Sequence, residues 1–394
     1  MRTYTRLVTV EINKYSLFMK FFLIILFSII FLNSNSYSDH KEEEQKFTGI
    51  SYSAPGNSNY QKLETELVDN KLSKYVQKQL DNRDKTGLVN YLLFENGKIV
   101  INKKNFNDQI KKNKNLLRSN SMGKSLTSYV VGHAVCKGYI ESVNQKLNDW
   151  IVLSDTLYAD NTLLQVLNMT SGDHEFIGEK KYDDDGLFKG ENNKKINKRT
   201  VAESMLWFKG TKKKEENSPY NYSAMSTHVA INYAIYRAGK NYEKLLKDIF
   251  TDHVGVKDAV HFMKVSWSQK DIEKGSQRYT FFATSEDYLR IAKTIMKDYK
   301  SDSCIGDYLR TIYENRVDKK KKEYVSNKGV AQYSRQYGGQ FHFPKVGNNV
   351  VFGMDGYAGQ QVIIDITKGR IVIIHTIDQH YNWKKIALNV IKQK

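Results

Sequence analysis

The segment of residues 121–140, SMGKSLTSYVVGHAVCKGYI, constrains this chain more than any other. Its apolar residues recur every three or four positions, which predicts a helix that stops at Gly138. Ser121 and Lys124 are then one turn apart on the same face. The first turn of a helix carries unpaired N–H groups and the positive end of the dipole, which favour an alkoxide and disfavour a charged lysine. The pair therefore predicts a serine nucleophile with a lysine base.

A serine and a lysine at this spacing are not specific by themselves, because the chain contains 61 lysines and arginines and an exposed helix start would show the same pattern. Three further segments follow in order: LLQVLNMTSGDHE (163–175), SPYNYSAMSTHVAINYAI (218–235) and VFGMDGYAGQQVIIDI (351–366). Together the four segments resemble the serine β-lactamase and penicillin-binding-protein superfamily. Within it they resemble the branch of class C β-lactamases, related esterases and 6-aminohexanoate-dimer hydrolase. The resemblance begins at about residue 86.

Strand-like segments near both ends, with helical patterns between them, predict an α+β fold with a mostly antiparallel sheet. The resemblance implies the same β-lactamase/transpeptidase-like fold, with the active site between the sheet and a helical subdomain. We expect a signal peptide at 1–38 and one hydrolase domain at 39–394. Its sheet part would comprise 39–140 and 300–394, and its helical subdomain 141–299.

The resemblance also implies a catalytic tyrosine. Tyr222-Ser223-Ala224 stands where the superfamily has Y-x-N or Y-S-N, so the tyrosine is kept and the asparagine is lost. A phenol beside a lysine can take the serine proton or deliver one to the leaving group. Tyr220 is the alternative if the register slips by two residues.

The third motif, K-T-G in β-lactamases, corresponds to Met354-Asp355-Gly356. By resemblance, the N–H groups of Ser121 and Tyr357 form the oxyanion hole. Substrate-binding residues are expected at the positions around that hole, namely Asp355, Gly356, Gly359 and Gln360. Because the motif lysine is absent, a substrate carboxylate would meet no cation on this side and would face Asp355, which favours uncharged or cationic acyl substrates.

Other hydrolase chemistries find little support. The sequence contains no G-x-S-x-G, H-E-x-x-H, C-x-x-C or P-loop motif. His375 and Asp378 could complete a serine triad, but a lone histidine at a strand end is more often structural. We expect no cofactor and no metal ion.

The function that follows is an exported serine hydrolase acting on an ester or amide through a Ser-Lys-Tyr acyl-enzyme. Its partner would be a small-molecule or peptide-like acyl substrate. Two alternatives stay open: a catalytically lapsed penicillin-binding-like protein that binds envelope peptides, or a true β-lactamase or D,D-peptidase. Retention of Ser121, Lys124 and Tyr222 together favours the enzyme.

The N-terminus indicates export. Residues 21–32, FFLIILFSIIFL, form an uncharged run that is too short to span a bilayer and fits a signal-peptide core, with cleavage expected after Ser38. Translation could start at Met1 or Met19, and an uncleaved membrane anchor is the alternative reading. We expect a periplasmic or secreted protein. The net charge of +18 comes from scattered lysines without a nucleic-acid-binding motif, so no nucleic-acid partner is expected.

The sequence contains two cysteines, Cys136 and Cys304, which we expect to be buried thiols because Cys136 falls in an apolar helical run. A single bridge in an oxidising compartment is the alternative. Further helices are expected at 62–80, 162–168, 285–297 and 383–391. A hairpin should join 88–93 to 98–102 through the turn 95–97, and strands are expected at 336–343, 350–354, 361–366 and 370–376.

Overall fold

The computed structural model describes residues 51–176, 200–216, 218–265, 276–320 and 329–393. The predicted signal segment lies outside these residues. The α-helices are α1 (Lys71–Asp81), α2 (Arg83–Thr86), α3 (Asp108–Lys112), α4 (Met122–Cys136), α5 (Leu163–Leu167), α6 (Val201–Ser204), α7 (Ala224–Ala238), α8 (Tyr242–Leu246), α9 (Ser285–Tyr299), α10 (Cys304–Glu314), α11 (Val330–Tyr333) and α12 (Asn389–Lys392). Lys247–Val254 and Lys384–Leu388 are π-helical. None of the described helices combines the length and hydrophobicity needed to span a bilayer.

The larger sheet has eight strands, all paired antiparallel. In chain order its strands are β2 (Leu88–Glu95), β3 (Lys98–Lys104), β7 (Val317–Asp318), β8 (Gln336–Gly338), β9 (Phe341–Phe343), β10 (Val351–Gly356), β11 (Gln360–Asp365) and β12 (Arg370–Thr376). Their spatial order is β3-β2-β12-β11-β10-β9-β8-β7. The sheet therefore consists of strands from near both ends of the domain sequence, as predicted. The α+β fold class is confirmed.

Both faces of this sheet are covered. From Tyr91 to Phe94 the side chains of β2 alternate between two hydrophobic clusters: Leu92 and Phe94 face the cluster that contains α4, whereas Tyr91 and Leu93 face α1 and the C-terminal helix. Because alternate side chains of a strand point to opposite faces, a sheet covered on both sides needs an almost continuous apolar strand. This requirement explains the run of buried residues from Leu88 to Phe94.

A second sheet adds strands to the middle of the chain, which the sequence predicts as a helical subdomain. Its four strands are β1 (Ser51–Ala54), β4 (Leu117–Arg118), β5 (Val260–Val265) and β6 (Ser276–Ala283), in the order β1-β5-β6-β4. Two of them fall within 141–299. β6 is buried along its whole length although half of its residues are polar. Gln277 accepts a hydrogen bond from the Tyr242 hydroxyl and donates its backbone N–H to Asn232. A buried polar strand shows no apolar alternation, so the sequence pattern missed it.

Most predicted elements are present, and two boundaries were wrong. The hairpin turns at Asn96 and Gly97, which both have positive φ. The helix predicted at 62–80 begins only at Lys71, because the side chain of Asn70 caps it through the N–H of Ser73. The residues before it run extended beside β3. Helix α9 begins at Ser285, as predicted, and Thr284 caps it.

One strand was predicted at 336–343. The structure has two strands there, β8 and β9, which form a hairpin.

Helix α4 is the central element of the domain. All residues from Met122 to Ala134 are buried, and the helix contacts α7, α10, β6 and β10. Its C-terminal end is covalently fixed, because Cys136 and Cys304 form a disulfide with a Cα–Cα distance of 5.7 Å. The expectation of two free thiols was therefore wrong. The apolar surroundings of Cys136 are real, but the sequence pattern could not show that the start of α10 lies against the end of α4.

We expect removal of this disulfide to destabilise the domain, since the bridge closes a loop of 168 residues. Replacing both Cys136 and Cys304 by Ala should lower the free energy of unfolding by about 2–5 kcal/mol, measured by urea denaturation. A reducing agent should destabilise the wild type and leave the double variant unchanged. Two free thiols in the native, non-reduced protein by thiol titration would contradict the assignment.

Candidate active site

The turn before Ser121 is held tightly by the second sheet. Ser119 forms two hydrogen bonds of 2.9 Å with the backbone of Phe281, one through its own N–H and one through its hydroxyl. Asn120 follows with φ +46°, a left-handed conformation that asparagine tolerates better than most residues. Strained turns of this kind occur where a structure fixes a side chain for function. Here the turn fixes Ser121.

Ser121 occupies the N-cap position of α4, but its hydroxyl makes no capping hydrogen bond. The hydroxyl instead lies beside Tyr222, where it acts to lower the pKa of that phenol. The N-cap N–H has no acceptor within the helix, and the dipole is positive at this end. Ser121 is partly exposed. A serine at this point combines an accessible hydroxyl with an environment that favours negative charge.

Gly123 allows the second sheet to approach the first turn of α4. A Cβ at this position would lie 1.9 Å from the carbonyl oxygen of Tyr279, so no other residue fits without displacing β6. The close approach places the Tyr279 ring 3.6 Å from Nζ of Lys124. The glycine of the motif is therefore required by packing around the lysine.

The amine of Lys124 is buried among aromatic and hydroxyl groups. The side chain is only 2% exposed. Its Nζ lies 3.5 Å from Oγ1 of Thr227 and 5.1 Å from the ring centroid of Tyr222. Among the described residues it has no carboxylate in salt-bridge contact. Burial consequently lowers the pKa of Lys124 well below its usual value of 10.5.

The Thr227 hydroxyl that faces Lys124 is oriented by Gln340. It donates to Oε1 of Gln340 at 2.7 Å, and Nε2 of Gln340 donates to the Leu167 carbonyl at 2.7 Å. Gln340 lies in the β8–β9 turn with φ +65°. Because the Thr227 proton is committed to Gln340, its oxygen can accept a hydrogen bond from Lys124. This network links the lysine to both the helical part and the larger sheet.

Tyr222 is held by the segment that the sequence placed next in the motif series. Asn221 donates its N–H to the Met169 carbonyl, and Ser223 caps α7 and bonds to the buried Asp173. The segments 163–175 and 218–235 thus contact each other next to Tyr222. Tyr222 lies in the second segment, two residues before α7 begins at Ala224.

Burial raises the pKa of Tyr222, Tyr279 adds to the rise, and the hydrogen bond from Ser121 opposes it. The residue as a whole is 45% exposed. The ring is thus accessible from outside, while the surrounding residues still disfavour the charged phenolate. Tyr222 is accordingly a neutral phenol at pH 7.

The β10–β11 turn meets the turn before Ser121 directly. Nδ2 of Asn120 donates to the Tyr357 carbonyl at 3.1 Å, and a Cβ on Gly356 would lie 2.4 Å from the Ser119 carbonyl. Tyr357 itself is 63% exposed. The structure therefore brings the backbone of Tyr357 beside that of Ser121, the arrangement expected for two oxyanion-hole donors.

The other residues predicted to bind substrate serve the framework. Gln360 is fully buried, and both ends of its amide bond to the backbone of Thr376. Gly359 has φ +86° and packs against Tyr381 and Thr376. Asp355 accepts a hydrogen bond of 3.2 Å from the N–H of Ala331 in α11, while the neighbouring Val330 N–H donates to Gln361. Burial raises the pKa of Asp355 to about 6.

Two residues at the site were missed by the sequence analysis. Tyr279 lies on the buried polar strand β6, which had no recognisable pattern. Lys319 is 7% exposed, donates to the Ala331 carbonyl at 2.6 Å, and lowers the pKa of Asp355 through its charge. The expectation that this side of the cleft carries no cation was therefore wrong. Lys319 begins a run of four lysines that resembles an exposed loop, so the sequence offered no signal.

Two alternatives are not supported by the geometry. Tyr220 is buried against Tyr337, with 5.1 Å between the ring centroids, and the tyrosine bonded to Ser121 is Tyr222. His375 is fully buried, faces Asn90 at 3.2 Å and packs on Tyr288, while Asp378 pairs with His380. These contacts give His375 a structural role.

The groups that surround Ser121 are a phenol, an amine and backbone N–H groups, which suit proton transfer rather than metal binding. The described residues bring together two histidines and a carboxylate elsewhere, at the opposite end of α4.

We expect the neutral Lys124 to lower stability at pH 7. The unfolded chain binds a proton at Lys124 up to about pH 10.5, whereas the folded chain has released it, so folding is disfavoured below that pH and the penalty fades as the pH rises. Lys124→Met should therefore be more stable than wild type at pH 7, with a difference that shrinks towards pH 10. Urea denaturation at both pH values measures it. A difference independent of pH would contradict a lowered pKa.

Comparison with known proteins yields matches in structure only. No family model and no curated protein matches the chain. A Bacillus anthracis protein provisionally described as a 6-aminohexanoate-dimer hydrolase superposes with a TM-score of 0.64 at 14% identity, covering 89% of this chain and 93% of that one.

Two other solved structures lead to the same fold. A class C β-lactamase in complex with cefoxitin gives a TM-score of 0.52 at 14% identity, covering 81% of this chain and 98% of that one. EstCE1, a hydrolase with promiscuous acyltransferase activity, gives 0.55 at 11% identity, covering 82% and 98%. The chain has the fold of the serine β-lactamase and penicillin-binding-protein superfamily.

Proposed function

We propose that the protein is a serine hydrolase that cleaves an ester or amide through an acyl-enzyme on Ser121. The observation that carries the proposal is the arrangement of three groups: the Ser121 hydroxyl lies beside Tyr222 and lowers its pKa, and the buried amine of Lys124 lies 5.1 Å from the centroid of the Tyr222 ring. The three groups can thus act in turn as the nucleophile, the proton carrier and the base. The names of the structural neighbours, which include a β-lactamase and a hydrolase, are consistent with this chemistry.

Lys124 is the base in this proposal. Tyr222 holds its proton at neutral pH, because its pKa is raised, whereas burial lowers the pKa of Lys124 and so favours the neutral amine that can accept one. The Ser121 oxygen attacks the substrate carbonyl carbon, its proton passes to Tyr222, and Tyr222 passes its own proton to Lys124. The proton returns by the same route to the leaving oxygen or nitrogen as that bond breaks. Water then attacks the acyl-enzyme with the same groups acting as base.

The tetrahedral intermediate carries negative charge on the former carbonyl oxygen. We assign its stabilisation to the N–H groups of Ser121 and Tyr357, each contributing about 3 kcal/mol if it behaves as donors do in other oxyanion holes. The contact between Asn120 and the Tyr357 carbonyl holds the two backbones in register. Rigidity here matters because donors that are already oriented need no reorganisation during the reaction.

The substrate class is a small-molecule or peptide-like acyl compound. The positive charge of Lys319 offsets the negative charge of Asp355. Repulsion between Asp355 and an acidic substrate is therefore weaker than the sequence suggested. Met354, where β-lactamases have the motif lysine, is 2% exposed and belongs to the hydrophobic core. This replacement still disfavours a true β-lactamase or D,D-peptidase. The apolar run at residues 21–32 supports export to the periplasm or the exterior as part of the proposal.

A lapsed penicillin-binding-like receptor is the competing function. A receptor would have no use for a buried lysine without a carboxylate partner, since such a group lowers stability at neutral pH. Retention of Lys124 beside an accessible serine therefore favours catalysis. The burial of Lys124 is the specific feature that separates the two possibilities.

Ser121→Ala tests the proposal. The wild type should become labelled by a fluorophosphonate probe, and the variant should not, because the attacking oxygen is gone. Turnover of a nitrophenyl ester should fall by at least on the order of 1,000-fold. The fold should persist, since the hydroxyl contributes no helix cap. Labelling at equal stoichiometry in the variant, or none in the wild type, would remove Ser121 as nucleophile. A parallel reaction with fluorescent penicillin shows whether β-lactams are also substrates.

Tyr222→Phe and Tyr220→Phe form a matched pair. The first removes the hydroxyl bonded to Ser121 and should reduce kcat by about 10²–10⁴-fold with little change in KM. The second removes a hydroxyl two residues away and should leave kcat close to that of the wild type. Steady-state kinetics on the same ester compares them. A larger loss in Tyr220→Phe would exchange the roles of the two tyrosines.

A further inference from the structure

A cluster of two histidines and one aspartate lies at the C-terminal end of α4, away from Ser121. His133 comes from α4, His253 from the π-helical segment Lys247–Val254, and Asp298 from α9. One potential ligand atom from each lies within 4.8 Å of the other two. Twelve residues of helix separate His133 from Ser121, or about 18 Å at 1.5 Å per residue. The cluster therefore takes no part in the proposed hydrolysis.

His133 is the unexplained member of the cluster. It is 8% exposed, and its Nε2 atom is buried without a hydrogen-bond partner among the described residues. Its ring packs edge-on against both Tyr129, at 4.6 Å between centroids, and His253, at 5.3 Å. A buried nitrogen without a partner costs about 1–3 kcal/mol, so its presence calls for a ligand.

The other two residues are already arranged as metal ligands commonly are. Nε2 of His253 lies 3.0 Å from each oxygen of Asp298, and the Tyr129 hydroxyl donates to Asp298 at 2.5 Å. A hydrogen bond from outside that fixes a ligating carboxylate is typical of metal sites. A His253–Asp298 ion pair alone would account for these two residues but would leave His133 unsatisfied.

We propose that His133, His253 and Asp298 bind a divalent transition-metal ion, for which Zn²⁺ is the best match. Imidazole nitrogens and a carboxylate oxygen are ligands that zinc accepts, and three protein ligands leave a position for water. In a tetrahedral site with bonds of about 2.1 Å, ligand atoms are roughly 3.4 Å apart. His133 would have to come closer to the other two ligands, while the 3.0 Å between His253 and Asp298 would lengthen slightly. His253 can supply this adjustment because its side chain is 39% exposed.

The charges around the cluster are compatible with a cation. Asp298 contributes one negative charge. Lys137 also faces His133, but its ammonium group pairs with Asp248 at 3.6 Å. The site would join α4, the π-helical segment and α9 close to the disulfide at Cys136. Its role would be structural: it would fix the end of the helix that carries Ser121 at its start.

Zinc titration of the full-length protein, stripped with EDTA and dialysed, tests the site. We expect binding of one zinc ion per chain by isothermal titration calorimetry, lost in both His133→Gln and His253→Gln. Tyr129→Phe should weaken binding by about 10-fold, as removal of such supporting hydrogen bonds does elsewhere. Zinc at 100-fold above its Kd should raise the Tm of the wild type by about 5 °C and not that of the two histidine variants.

His380→Gln is the matched control, because His380 pairs with Asp378 at 3.2 Å without a third ligand. It should bind zinc as the wild type does. His253→Gln changes a partly exposed side chain, so its fold, checked by circular dichroism, should be retained even if His133→Gln disturbs packing. The site is refuted if the wild type binds no zinc at this stoichiometry, if folded His253→Gln binds it as tightly, or if His380→Gln abolishes binding.

Discussion

The uncompensated amine of Lys124 is the constraint on which the rest of the site depends. A lysine enclosed by Tyr279, Tyr222 and Thr227 without a carboxylate must give up its proton or lose its burial. In this fold the amine stays buried, and burial lowers its pKa. Both flanking parts of the domain contribute to the enclosure, since Tyr279 comes from the second sheet and Thr227 from α7.

Helix α4 makes that enclosure possible because it is fixed at both ends. At its start, Gly123 admits β6 and the turn at Asn120 is tied to Tyr357. At its end, the disulfide connects it to α10. A helix that is buried along its length moves little. Ser121 at its start is therefore held beside Tyr222. The arrangement lowers stability at neutral pH in exchange for a base that is ready to react.

Much of this could be predicted from the sequence, because local signals and the order of motifs agree. The helix that begins after Ser121, the hairpin at Asn96-Gly97 and the strands of the larger sheet each have a periodicity or a turn that needs no tertiary information. Tyr222 followed from its place in the motif series. Its bond to Ser121 then distinguished it from Tyr220, which no local pattern could do.

What could not be predicted depends on contacts between distant segments. Strand β6 carries buried polar residues that bond to α7 and α8, so its composition does not resemble a strand. Lys319 resembled an exposed loop residue and is buried beside Asp355. The bridge between Cys136 and Cys304 required knowing that α10 begins where α4 ends. Gln360 looked available for substrate, yet the amide is used entirely within the sheet.

The state of the Lys124 amine tests the account most directly. Its pKa can be measured by NMR in protein labelled with ¹³C at the lysine ε-carbons, with the Lys124 signal assigned by its absence in Lys124→Met. The account predicts that this signal titrates well below the value of about 10.4 shown by exposed lysines and is that of a neutral amine at pH 7. A signal that titrates together with the exposed lysines would show a charged ammonium and contradict the assignment of Lys124 as the base.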